Sequence, residues 1–346
     1  MQLKLKPLSE QTIVITGATS GIGLCTARMA ANRGANVVVV ARNEDALHEL
    51  VEEINASGGS ATYAVADVAD EEALERAAET ARLRFGHIDT WVNNAGTSIY
   101  GRIMDVPTED LRRLFETNVW GVVYGSRIAV NNLRERGGAL INVGSETSDA
   151  AVPLQGMYSA SKHAVKGFTD ALRMEVEADK LPISITLIKP TAIHTPFPEN
   201  AKNYLEYEPR LPPPLYAPEL VAEAILHCAE NPTRDFFVGG MAKVHSSMGL
   251  NTPRLHEKMN ETMIDTMQNS GEPAHANRSD GLYDTNSRLA ERGAQDRFVR
   301  EHSLYQQTKL HPALTATIAV AGGVALAAWL GSKVSSSTGL SRIQHE

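Results

Sequence analysis

Short uninterrupted apolar runs alternate along this chain with longer stretches whose apolar positions recur at helical spacing. Residues 37–41 are a β-branched run, the pattern of a strand buried on both faces. Residues 12–15, 61–66, 88–92, 139–143, 183–188 and 236–238 read as further short strands. Between them, residues 43–56 read as a helix ended by Ser57-Gly58-Gly59, and 70–85 as a charged amphipathic helix. Residues 108–136 predict one long helix with Pro107 or Thr108 at its start. Residues 156–178 and 217–229 complete the helical set. Strict alternation of the two periods predicts an α/β fold, a Rossmann-like doubly wound parallel sheet in a single domain.

The pattern changes near residue 250. Residues 251–310 are polar and only patchily periodic, and 270–286 are rich in Gly, Ser, Asp and Asn, as a flexible linker would be. Residues 312–332 carry no charge, and that length matches the roughly 20 residues that cross a bilayer core. The expected organisation is therefore a Rossmann-type domain over 1–245, a mostly helical or flexible extension over 246–310, and a C-terminal transmembrane helix over 311–334. A soluble helix packed on a partner subunit is the alternative for that last segment.

Composition narrows the function classes. The chain has 346 residues, 42% of them hydrophobic, enough for one sizeable α/β core plus an appendage. The net charge of −8 argues against a general nucleic-acid surface. Cys25 and Cys228 are far apart and lack metal-ligand spacing, so they read as reduced, buried packing residues and no metal is expected. The N-terminal residues lack the apolar stretch of a signal peptide.

Candidate chemistry concentrates in the helix over 156–178. Tyr158 and Lys162 stand at i and i+4, on one helix face. An ammonium beside a phenol favours the phenolate and lowers a pKa ordinarily near about 10. Such a tyrosine can give or take a proton near neutral pH. Upstream, Thr16-Gly17-Ala18-Thr19-Ser20-Gly21-Ile22-Gly23 follows the first strand and opens a helix. Glycines let backbone approach a pyrophosphate, and a helix N-terminus offers free N–H groups. An ordinary glycine-rich turn is the plainer alternative.

With Asn93-Asn94-Ala95-Gly96, Ser145 and Asn118 at compatible places, the sequence resembles the short-chain dehydrogenase/reductase family over about residues 10–245. The resemblance implies hydride transfer with a nicotinamide cofactor. It implies that Tyr158 is general acid or base, that Lys162 lowers its pKa and holds the nicotinamide ribose, and that Ser145 steadies the substrate oxygen. Asn118 would anchor a water leading from Lys162 to solvent. Gly17, Thr19, Ser20, Gly21, Ile22 and Gly23 would take the pyrophosphate. Asp67 and the Val68 backbone would contact the adenine, and Asn94, Ala95 and Gly96 would border the cofactor ribose or simply stabilise the sheet. Pro190, Ile193 and Thr195 would border the nicotinamide carboxamide. The usual Pro-Gly after the sixth strand is here Pro190-Thr191, which puts the turn and pocket floor in doubt. His194 reads as a surface residue or a substrate contact. Residues 197–218, rich in Pro and Tyr, would cover the substrate or act as a plain connector.

Cofactor choice depends on the end of the second strand. No acid stands at Ala41, and Arg42 follows; an arginine fork suits a 2′-phosphate, so the cofactor is read as NADP(H). A small-molecule carbonyl or alcohol is the expected substrate, apolar if the membrane anchor is real. The expected placement is a membrane-anchored catalytic domain in the cytoplasm, with a soluble cytoplasmic protein as the alternative. Family members often form tetramers through the helices corresponding to 108–136 and 156–178, so a homo-oligomer is a further expectation. A nicotinamide-dependent isomerase or epimerase, or a non-catalytic cofactor-sensing scaffold of the same fold, are the competing functions.

Overall fold

The computed structural model describes residues 3–275, 279–285, 289–294 and 297–310. Seven strands form one parallel sheet: β1 (Thr12–Thr16), β2 (Asn36–Ala41), β3 (Ser60–Val65), β4 (Thr90–Asn93), β5 (Gly138–Val143), β6 (Ile183–Pro190) and β7 (Asp235–Val238). Their order is β7-β6-β5-β4-β1-β2-β3, so the winding reverses beside β1. That reversal opens a crevice at the carboxyl ends of β1 and β4, where ligands bind in open α/β sheets. Every residue of β1, β4, β5 and β6 is buried, including polar ones such as Asn93, Asn142 and Lys189, as in strands covered on both faces.

The crossover helices are α1 (Gly21–Asn32), α2 (Glu44–Ala56), α3 (Glu71–Phe85), α4 (Thr108–Phe115), α5 (Gly121–Leu133), α6 (Gly156–Ala178) and α7 (Pro218–Glu230). Caps fix two starts: the Asn43 side chain accepts from the Ala46 N–H, and the Asp70 side chain from the Ala73 N–H. The single helix expected over 108–136 is instead α4 and α5 joined by a π-helical turn, Glu116–Trp120. One apolar core packs Val14, Val38, Trp91 and Leu140 of the sheet against Leu74 of α3 and Leu133 of α5.

After β7 come α8 (Gly240–Asn251) and α9 (Pro253–Met267). The segment expected to be a linker is paired with the body of the fold where it is described. Strand Asn269–Pro273 runs antiparallel to Tyr207–Pro209, and Val299–Arg300 runs parallel to Leu215–Tyr216. Leu282 is fully buried beside Ile99, Val106 and Leu114. One buried leucine and a set of backbone bonds hold a stretch whose composition otherwise reads as coil. Residues to Ser303 belong to the same compact unit as the sheet; a second unit follows, whose described part is the helix Leu304–Leu310.

The expected transmembrane helix requires correction. Among the described residues no helix is long and apolar enough to cross a membrane. The uncharged run 312–332 that prompted the expectation lies outside the described residues. Neither a membrane partner nor a membrane location enters the functional reading.

Candidate active site

The carboxyl ends of β1, β2 and β4–β6 border a cavity of about 560 Å³. All cofactor and catalytic residues expected from the sequence line it except Gly23 and Asn118, which stand directly behind the wall. At one end lies the glycine turn. Gly17 holds φ +66°, and a Cβ there would sit 2.8 Å from the Ala95 Cα. Gly23 lets the turn close on itself, since a Cβ would fall 2.1 Å from the Gly17 carbonyl oxygen. Ser20 is extended immediately before α1, and Gly21 and Ile22 of the first helical turn line the crevice. Asn94 stitches β4 to this turn: its side chain donates to the carbonyls of Thr16 (2.9 Å) and Gly17 (3.2 Å). The Thr16 hydroxyl accepts from the N–H groups of Asn94 and Ala95.

Arg42 at the end of β2 and Asp67 after β3 border the next stretch of the cavity. Asp67 accepts from the Ala69 N–H at 3.0 Å and is ion-paired with Arg113 of α4. Val68 is buried beside it. Arg113 was not legible as a neighbour of this site, because α4 reaches it only through tertiary packing. Three of the five guanidinium N–H groups of Arg42 are engaged by backbone carbonyls of residues 281–284.

At the deep end stand Ser145, Tyr158 and Lys162. Ser145 caps a short 3₁₀ turn after β5 and accepts from the Thr147 N–H at 3.1 Å. Lys162 donates to the Val143 carbonyl at 2.9 Å, and its Nζ lies 5.7 Å from the Tyr158 ring centroid. This geometry overturns the expectation of a lowered tyrosine pKa. Burial pushes the Tyr158 phenol up to about 12, against a partial lowering by its hydrogen bond with Ser145. Burial pushes the Lys162 ammonium down to about 8. The ammonium sits over the ring and on a carbonyl, and partial desolvation favours the neutral form of each group.

Asn118, at 0% exposure in the π-helical turn, does not touch the cavity. Its side-chain oxygen accepts from the Thr97 N–H at 2.8 Å, and its amide donates to the Thr97 carbonyl (2.9 Å) and the Ser161 hydroxyl (3.1 Å). It thereby ties the loop after β4 to α6. The wide turn aims this amide inward, which explains the break between α4 and α5; π-bulges often mark such sites.

Pro190, Ile193 and Thr195 line the wall after β6. Thr191 does not take a positive φ; its N–H donates to the Val238 carbonyl at 3.2 Å, so the non-glycine turn is held by β7. His194 is half-buried and not among the lining residues. Phe197 stands 5.6 Å from the Tyr158 ring, centroid to centroid, and Leu211 with Pro212–Pro214 forms the outer wall. Several lining residues escaped the sequence reading. Glu146 accepts from or pairs with His245 of α8 at 3.2 Å, and His256 of α9 stands beside His245. That hydrogen bond raises the His245 pKa, whereas burial lowers that of His256.

The model of the family described as short chain dehydrogenase matches residues 11–205. The chain belongs to this family. It is an oxidoreductase of the short-chain dehydrogenase family. It is 46% identical over 330 residues to the uncharacterized oxidoreductase YxnA of Bacillus subtilis, covering 94% of this chain and 92% of that one. It is 39% identical over 196 residues to dehydrogenase/reductase SDR family member 7B of Bos taurus, covering 55% and 60% of the two chains. Among solved structures, an alcohol dehydrogenase from Thermococcus sibiricus complexed with 5-hydroxy-NADP superposes with a TM-score of 0.57 at 26% identity, over 66% of this chain and 94% of that one. A short-chain dehydrogenase/reductase from Burkholderia phymatum in complex with NAD, at 22% identity, shares the fold with a TM-score of 0.62 over 75% and 97%.

Proposed function

We propose that this short-chain dehydrogenase is an NADP(H)-dependent oxidoreductase that interconverts a small-molecule carbonyl and a secondary alcohol, with Tyr158 moving the proton. The observation that carries the reading is the convergence of Ser145, Tyr158 and Lys162 at the deep end of one cavity whose other end holds the glycine turn and Arg42.

The residues present fit a dinucleotide. The glycine turn leaves room for a pyrophosphate at the N-terminus of α1, where Gly21 and Ile22 line the cavity. Asp67 and Val68 would meet the adenine, and Arg42 a 2′-phosphate. Asn94, Ala95, Gly96 and Lys162 would border the riboses, and Pro190, Ile193 and Thr195 the carboxamide. When bound, the nicotinamide supplies or accepts the hydride. The chain's own groups handle the proton. A phenol held near pKa 12 is protonated at neutral pH, which suits donation to a carbonyl oxygen in the reducing direction. The Ser145 hydroxyl, bonded to Tyr158, can also reach the substrate oxygen and steady its developing charge. Asn118 holds the wall behind Lys162 in place by tying Thr97 to Ser161. Leu211, Met241 and Met259, with His245, His256 and Gln268, give the substrate end a mixed apolar and polar lining.

The test is a screen of the purified chain with NADPH against aldehydes, ketones, steroids and quinones, followed by loss of nicotinamide absorbance. Turnover with at least one class is expected. Failure with all four contradicts the reading, and product formation without any change in the cofactor spectrum favours an isomerase or epimerase.

A further inference from the structure

Arg42 and the first turn of α1 carry backbone contacts that no part of the nucleotide-binding fold supplies. Arg42 Nη2 donates to the carbonyls of Gly281 (2.7 Å) and Asp284 (2.8 Å), and Nη1 to the carbonyl of Tyr283 (3.2 Å). The Gly21 N–H donates to the Ala290 carbonyl at 2.9 Å. Gly281 and Thr285 line the same cavity as Arg42 and Asp67. The extension therefore offers acceptors to the donors that the phosphates of a dinucleotide would use.

The pattern on Arg42 is selective. A guanidinium presents two bidentate faces, one from Nε–H with an Nη2 hydrogen and one from Nη1 with Nη2. Both faces need a hydrogen on Nη2, and both Nη2 hydrogens are engaged here. A phosphate that takes either fork must displace a carbonyl of Gly281 or Asp284. A cofactor without a 2′-phosphate makes no such demand.

The segment Asp280–Asp284 is firmly seated. Leu282 is fully buried beside Ile99, Val106 and Leu114. The Gly281 N–H donates to the Asn200 carbonyl at 2.7 Å, Asp280 pairs with Lys202 at 3.0 Å, and Tyr283 donates to Asp110 at 2.7 Å. Arg113, already paired with Asp67, donates to the Leu282 carbonyl at 3.0 Å. None of these anchors belongs to the catalytic or glycine-turn residues, yet all hold the carbonyls against Arg42.

We propose that the Asp280–Asp284 segment of the C-terminal extension is a cofactor-specificity determinant, whose carbonyls compete with the 2′-phosphate for Arg42 and so narrow the preference for NADP(H) over NAD(H). The proposal rests on the reading of Arg42 as the 2′-phosphate ligand. It reverses the usual sense of a supporting wall: loosening the segment raises the affinity for the phosphorylated cofactor. Because a ligand's apparent affinity falls with the fraction of protein in the competent state, seating of the segment is a direct tax on NADP(H) binding.

The experiment uses the full chain and measures dissociation constants for NADPH and NADH by titration of cofactor fluorescence. Tyr283→Phe combined with Asp280→Asn removes two side-chain anchors and leaves Leu282 in place. NADPH is expected to bind about threefold to tenfold tighter, with NADH changed by less than about twofold. Leu282→Ser is expected to tighten NADPH further, again with NADH changed by less than about twofold; should it fail to fold, the double variant alone decides. Weaker NADPH binding, or equal changes for both cofactors, overturns the proposal and makes the segment an ordinary part of the binding wall. Arg42→Ala separates the two levels. Equal affinity of the wild type for both cofactors, unaffected by Arg42→Ala, overturns the 2′-phosphate reading itself. A wild type that prefers NADPH through Arg42, with unchanged values in the segment variants, overturns only this inference.

Discussion

Tyr158 and Lys162 are enclosed together, and enclosure drives each toward its neutral form. For Lys162 this has a measurable sign. Its pKa falls from 10.5 to about 8 in the folded chain, so between those values the unfolded chain binds more protons. The penalty for burying the charged ammonium is complete below about pH 8 and is relieved as pH rises toward 10.5. Melting temperatures of the cofactor-free wild type and of Lys162→Met, compared from about pH 7 to about pH 9.5, are expected to shift in favour of the wild type as pH rises. A difference that stays constant across that window contradicts the assignment. Arg42 supports a second expectation at this scale. Charge-assisted contacts are worth roughly 1.5–3 kcal/mol, so Arg42→Ala is expected to weaken NADPH by about one to two decades and leave NADH little changed. Equal losses would show that Arg42 reads no 2′-phosphate. The identity of these residues was legible because Tyr158, Lys162 and the glycine turn each carry a local pattern. The titration of Tyr158 was not, because i, i+4 spacing fixes a shared face but not the seat of the Lys162 ammonium, which lies on the Val143 carbonyl.

The strands were readable as elements because their β-branched runs are buried on both faces, and the helix starts because Asn43 and Asp70 carry cap chemistry. The π-helical turn at Glu116–Trp120 left no such trace. Its cause is the buried Asn118 side chain, whose partners on Thr97 and Ser161 come together only in the fold. The pairing of Asn269–Pro273 with Tyr207–Pro209 was equally hidden, since backbone ladders between polar segments have no side-chain signature. The meeting of β1 and α1 gives the expectation at this scale. In Gly23→Ala the new Cβ would fall 2.1 Å from the Gly17 carbonyl oxygen, so backbone must move. Overpacking of this kind costs roughly 1–3 kcal/mol and here would deform the glycine turn. The urea midpoint is expected to fall and NADPH binding to weaken together. A variant equal to the wild type in both would show that the turn does not need its close approach.

For the molecule as a whole, the reversal of strand order beside β1 brings the glycine turn, Arg42 and the Ser145–Tyr158–Lys162 group to one cavity, although they are spread from Gly17 to Lys162 in sequence. The doubly wound sheet was legible from alternating periods, and its crevice follows from that topology. The share of the cavity built by α8, α9 and Gly281 was not, because nothing in a polar tail announces where it docks. The account stands or falls on the proton carried by Tyr158. The direct measurement is turnover by wild type and Tyr158→Phe on the best carbonyl substrate, with NADPH affinity recorded for both. The hydroxyl alone differs, and general acid–base steps are worth about 10²–10⁴-fold. Turnover is expected to fall by that factor while the NADPH dissociation constant stays within about twofold; a variant that keeps more than about a tenth of wild-type turnover contradicts the account.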